Sequence, residues 1–159
     1  MKLLKNIAAV SAAAALALTV AACGGSASPA SDAASSDAAA GIEQLANVSG
    51  YAVHLSEENR QASVEIDIAE GEGLYQMGRL DTGEAESSTS RGGEWICSDY
   101  FYEGSSAGEM GVDPGTYTVE ITTEDATGTI WVFAYTSDAI DYESMDADQI
   151  VDYLLDVVS

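Results

Sequence analysis

From Gly50 onward, apolar residues fall at every second position. Tyr51, Val53 and Leu55 alternate with Ala52 and His54, and Val64, Ile66 and Ile68 alternate with Glu65 and Asp67. That period belongs to strands with one buried face. Residues 74–80 read as a third strand, whereas the polar, glycine-containing stretch 81–93 reads as a long loop or mobile hairpin. Further on, Trp95, Cys97 and Phe101 share one parity and Ile96, Tyr100 and Tyr102 the other. Large side chains on both faces predict a strand that is central or forms one wall of a site. Asp113-Pro114-Gly115 supplies a turn in which proline fixes φ and glycine accepts a positive one. Tyr117, Val119 and Ile121 alternate out of it. Asp125-Ala126-Thr127-Gly128 reads as a hairpin loop into 129–136, where Ile130, Val132 and Ala134 oppose Trp131, Phe133 and Tyr135. These last two strands are expected to pair.

The period changes at the C-terminus. Ile150, Tyr153, Leu154, Val157 and Val158 form a helical apolar stripe, with Asp148, Asp152 and Asp156 on the opposite side. Asp146 as N-cap, Gln149 at N3 and a staple from Met145 to Ile150 mark the start of the helix. Short strands with turn signals followed by one helix predict a mainly β fold, an antiparallel β-sandwich or partly open barrel with a C-terminal α-helix docked on it. The alternative is an α+β fold, a sheet with helices on one face, in which residues 41–46 also begin as a helix.

The N-terminal segment follows other rules. Lys2 and Lys5 precede an uncharged apolar run, 7–22, that stops at Cys23 before Gly24, Gly25 and Ser26. A spanning helix needs about 20 apolar residues, usually with a charged stop, so the segment reads as an export signal. Val20-Ala21-Ala22-Cys23 resembles the lipobox of bacterial lipoproteins. The resemblance implies cleavage before Cys23, a diacylglyceryl group on its thiol, and a mature protein held on the outer face of the cytoplasmic membrane. Two acyl chains, each gaining about 0.8 kcal/mol per buried CH₂, anchor stably. Residues 24–40 are Ala, Ser, Gly and Asp with one Pro, a tether whose r.m.s. reach is roughly 20–25 Å. The expected organisation is a signal, 1–22, a lipidated tether, 23–40, and a single domain, 41–159.

Loss of Lys2 and Lys5 with the signal leaves 27 carboxylates against three arginines, a net charge of −24 with no lysine. Such a surface repels polyphosphates and anionic headgroups, which excludes nucleic acid as a partner. Solubility outside the cell is the plainest account of the acidity. Attraction of cations or cationic partners is the sharper one.

Candidate chemistry is sparse. His54 is the sole histidine, and no C-x-x-C or H-x-x-x-H spacing occurs. Carboxylate pairs such as Glu84/Glu86 and Glu124/Asp125 offer hydrolytic geometry in principle. In so acidic a chain their proximity carries little information, and a non-catalytic module is expected. Asp141, Glu143, Asp146 and Asp148 are the best calcium ligands. Their spacing is not that of an EF-hand, and a helix N-terminus favours acids without any metal. Cys97, the sole cysteine beyond Cys23, is expected as a buried thiol packed beside Trp95 and Phe101. Tyr100, Tyr102, Trp131 and Tyr135 are the candidate ligand-binding aromatics. An exposed aromatic strip among them implies a glycan or peptide ligand, and a broad apolar patch implies an envelope protein partner, as in an accessory subunit.

Overall fold

A computed structural model describes residues 41–136, 140 and 143–159. The signal, Cys23, the tether and Asp141 lie outside the described residues. The elements are β1 (Ile42–Gln44), β2 (Gly50–Leu55), β3 (Gln61–Ile68), β4 (Glu72–Arg91), β5 (Glu94–Met110), β6 (Gly115–Thr123), β7 (Thr127–Thr136) and α1 (Ala147–Val158). All seven strands join one antiparallel sheet in the order β1-β2-β7-β4-β6-β3, with β5 beside β4. This is the mainly β architecture with a C-terminal helix that the alternation predicts. The α+β alternative fails at its extra helix, because Ile42–Gln44 pairs with β2 instead.

The long β4–β5 hairpin organises the molecule. It turns at Gly92 and Gly93, both with positive φ, and bends midway, where the β4 register shifts between Arg79 and Glu84. Residues 81–93 are therefore mostly strand, not the loop expected from their polarity. Their inward positions are Ala85, Ser87 and Thr89, all buried, and such small or polar side chains give no hydrophobic contrast to read. β5 runs along one edge of β4 throughout, so it is an edge strand and not a central one.

Along the other edge of β4 lie β7, opposite Glu72–Thr82, and then β6, opposite Ala85–Ser90. The expected pairing of the last two strands does not form: β6 lies between β3 and β4, and β7 between β2 and β4. The chain at 124–126 turns a corner and does not reverse. Thr123 Oγ1 accepts from the backbone N–H groups of Asp125 and Ala126 at 3.2 and 2.8 Å, and Ala126 is buried. Opposite this corner, Gly83 has φ 76°, and a Cβ there would stand 2.8 Å from the Ala126 backbone.

The bend folds the sheet into two facing layers. Val53, Ile130, Val132 and Leu74 from one meet Val64, Ile66, Val119 and Ile121 from the other in the main core. A second cluster covers the outer side of the first layer, where Ile150, Val151, Leu154 and Val158 of α1 pack on Tyr75, Met77 and Phe133. The capping box of Asp146 and Gln149 forms as the sequence predicts. The buried stripe, however, is rotated toward Val151, leaving Val157 half-buried and Tyr153 exposed. Arg79 donates to Asp152 at 2.8 Å and ties the helix to the sheet.

Candidate functional site

Alternation on β5 sends Phe101 inward and its neighbours outward. Phe101 is buried against Gly78, where a Cβ would come within 2.7 Å of its ring. Tyr100 and Tyr102 consequently point away from the core, each 57% exposed. The ladder sets Tyr102 opposite Glu84 and Tyr100 opposite Glu86, then Thr122 opposite Glu86 and Gln61 opposite Thr122. One outer row thus crosses four strands. At two strand residues apart, the tyrosines are separated by about 7 Å.

The bend converts this row into one side of an open cleft of about 1290 Å³. Tyr100 and Tyr102 line it together with Thr122, Thr123 and, from the corner, Glu124 and Asp125, while the Thr123 hydroxyl is taken up by the Glu84 carbonyl and the corner amides. Arg60, from the β2–β3 loop, also lines it and donates from Nε to the Glu57 carbonyl at 3.2 Å. Counting Glu84, Glu86 and Glu103, five carboxylates meet one guanidinium. Tyr100 Oη donates to Glu86 Oε1 at 3.3 Å. The Glu86 charge, with lesser help from burial and Glu84, raises the Tyr100 phenol above its ordinary range, so it remains a neutral donor.

The four candidate aromatics do not form one group. Trp131 and Tyr135 lie on the other layer, half-buried in the cluster under α1, where Tyr135 packs edge-on against Tyr75 at 5.8 Å. A hydrogen bond with Tyr153, together with burial, raises the Tyr135 phenol. Those two aromatics serve helix packing. The carboxylate pairs Glu84/Glu86 and Glu124/Asp125, far apart in sequence, do converge in the cleft. Arg60 and Thr122, which sequence reasoning passed over, arrive only through the pairing of β3 with β6 and the loop that precedes it.

Of the calcium candidates, Asp146 has its carboxylate engaged as a helix cap, accepting from Gln149 N at 2.9 Å, and Asp148 sits exposed in the first helical turn. Glu143 is exposed. Among the described residues no three His, Cys, Asp or Glu side chains converge as a metal group. His54 is exposed on β2, with Nδ1 2.9 Å from Thr129 Oγ1 and Nε2 3.6 Å from Glu43. Cys97 is half-buried, with Sγ 3.8 Å from Met110 Sδ, while Trp95 projects outward at 65% exposure. The expected packing beside Trp95 is thus replaced by sulfur–sulfur contact between two residues of the same long strand, β5. Burial first, and then the Asp99 charge, raises the thiol.

No family model matches the chain, and no curated protein does. Among solved structures it is similar to the carbohydrate-binding module TmCBM61 in complex with beta-1,4-galactotriose, at 14% identity and a TM-score of 0.35, over 55% of this chain and 70% of that one. It is also similar to the S161A mutant of Bacillus subtilis oxalate decarboxylase, at 17% identity and a TM-score of 0.26, over 71% of this chain and 31% of that one. The chain spans about a third of the decarboxylase. Likeness of this order reaches strand arrangement only and says nothing of what this chain binds.

Proposed function

We propose that this protein is a non-catalytic binding module, displayed outside the cell on a lipid tether, that takes a neutral or amine-bearing glycan in the Tyr100–Tyr102 cleft. The observation that carries the reading is the pair of outward-facing tyrosine rings on one rigid strand at the wall of an open cleft. Tyrosine offers a large amphipathic face at low conformational cost, suited to stacking on the C–H face of a sugar ring. Around it, the carboxylates, Thr122 and Arg60 supply acceptors and donors for hydroxyl groups. The carboxylate excess disfavours polyanions. Four of the five carboxylates are exposed and so lack the apolar enclosure that sets a general acid apart from its partner. That favours binding over hydrolysis.

Anchoring through Cys23 rests on the lipobox resemblance and confines the partner to what a tethered domain reaches. Mass spectrometry of the mature N-terminus tests it: a diacylglyceryl Cys23 is expected, and an unmodified thiol contradicts it. Binding is tested on a glycan array with the detergent-solubilised chain and its Tyr100→Ala/Tyr102→Ala variant. Retention of one glycan class, lost in the variant with the fold intact, supports the reading. Retention unaffected by the double change, or turnover of the glycan, overturns it.

A second reading, docking to an envelope protein, draws on the tip of the β4–β5 hairpin. There Trp95 and Ile96 are exposed on an edge strand whose outer side pairs with no described strand. Cross-linking through the native anchor, lost with Trp95→Ala but not with the tyrosine variant, selects it.

A further inference from the structure

Simple alternation along β5 would put Trp95 on the side of Cys97 and Phe101, facing the core. The ladder departs from it. Thr89 stands opposite Cys97, but the next residue of β4, Ser90, stands opposite Trp95, so Ile96 is an extra residue, a β-bulge. Residues directly opposite one another share a face. Ser90 belongs with Glu84, Glu86 and Ser88 on the outer face, because Ala85, Ser87 and Thr89 between them are buried. The bulge therefore turns Trp95 outward, where it is 65% exposed. Tyr102, Tyr100, Ser98 and Trp95 consequently make one outward row along β5, opposite Glu84, Glu86, Ser88 and Ser90.

The dimensions of this row limit what it can hold. Tyr102 and Trp95 stand opposite residues six apart on β4, Glu84 and Ser90, which separates them by about 20 Å. Tyr100 and Trp95 are about 13 Å apart, and between them only serines rise from the two strands, Ser98 and its partner Ser88. Such a floor lets a flat ligand pass and offers it hydroxyl groups. The far end of the row is fixed: Arg91, beside the hairpin turn, donates to the Pro114 carbonyl at 2.8 Å and lies over the Tyr117 ring at 5.4 Å, pinning the hairpin to the start of β6. The aromatic faces are thus held apart before any ligand arrives.

We propose that the row extends the Tyr100–Tyr102 cleft into a platform for an unbranched, extended glycan chain, with Trp95 as a distal stacking subsite. This deepens the cleft reading and rests on it. A compact ligand filling the cleft meets the two tyrosines alone, because Trp95 does not line it. A ligand that engages all three rings must run about 20 Å along the strand, the length of about four linked pyranose rings. Proline-rich peptides, the other extended ligands of aromatic surfaces, dock in grooves, and the serine floor provides none between Tyr100 and Trp95.

The test is calorimetric titration of the full chain in detergent with β-1,4-linked oligomers of glucose, galactose, N-acetylglucosamine and glucosamine, each of two, three and six rings, and with a nonaproline peptide. In a series that binds, the six-ring oligomer should bind at least about tenfold more tightly than the two-ring one. Trp95→Ala should remove that gain and leave two-ring affinity unchanged, whereas Trp95→Phe should keep most of it. Ser98→Gln, which raises the floor, should weaken six-ring binding alone. Tyr100→Ala/Tyr102→Ala should abolish binding at every length. Binding that needs the tyrosines but is indifferent to length and to Trp95 overturns the distal subsite and leaves the cleft reading standing. No binding of any oligomer at millimolar concentration overturns both. Nonaproline binding lost in Trp95→Ala, without a length-dependent glycan series, assigns the row to a peptide and overturns the proposal. Should Ser98→Gln fail to fold, the two Trp95 variants decide, since that side chain is exposed and carries no core packing.

Discussion

Replacing Val151 and Val157 by alanine, one at a time, separates the two helical stripes that the C-terminal sequence allows. Val151 is fully buried against Tyr75, Met77 and Phe133, whereas Val157 is half-buried at the margin. Truncation to alanine removes two methyl carbons, about 1.6 kcal/mol of transfer free energy at a buried site, plus a cavity contribution that brings the loss to about 2 kcal/mol. At Val157 half of the transfer contribution is already absent and no closed cavity forms, leaving about 0.8 kcal/mol. Alanine's better helix propensity returns up to about 0.6 kcal/mol in both variants and cancels in the comparison. Val151→Ala should therefore be less stable than Val157→Ala by about 1.2 kcal/mol, or about 5 °C in Tm for a domain of this size. Urea unfolding followed by tryptophan fluorescence reports it, because Trp131 lies in the same cluster. Equal losses, or a larger loss at Val157, would refute the packing of α1 described above.

Gly83→Ala forces a side chain into a backbone of φ 76° facing Asp125 and Ala126, so it should cost at least about 1–2 kcal/mol in urea unfolding and distort the adjoining cleft. Asp146→Ala should cost about 1 kcal/mol by removing the helix cap, while Asp146→Asn should retain most of that stability; denaturation midpoints distinguish them. Cys97 should react with a thiol reagent more slowly than a free cysteine at pH 8, because its raised pKa lowers the thiolate fraction, and the rate should still climb with pH above the ordinary thiol range.

How far the sequence was legible depended on local contrast. Strand β3 is plain because Val64 and Ile66 stand between polar residues, β2 because Tyr51, Val53 and Leu55 alternate with the smaller Ala52 and the polar His54, and the capping box because its two partners are three residues apart. The second half of β4 is not, since Ser87 and Thr89 occupy buried positions and read as loop. Nor does any local signal distinguish a hairpin at 124–128 from a corner. That choice is made by β4, a strand long enough to hold β6 and β7 end to end along one edge. In the C-terminal helix, Ile150-Val151 and Val157-Val158 support two overlapping stripes, and the surface of Tyr75 and Phe133 selects between them. Tyr100 and Tyr102 were readable as an aromatic pair from parity alone. Their separation from Trp131 and Tyr135 was not, because it follows from which layer each strand joins.

The most direct measurement is nuclear magnetic resonance titration of the isotope-labelled chain with pools of neutral and amino-bearing oligosaccharides, with the tyrosine rings and backbone amides observed together. The binding-module reading predicts saturable shifts at Tyr100, Tyr102, Glu86 and Thr122, with the residues of α1 unmoved. Shifts centred on α1 or the β1 edge, or none across the pools at millimolar sugar, would contradict it.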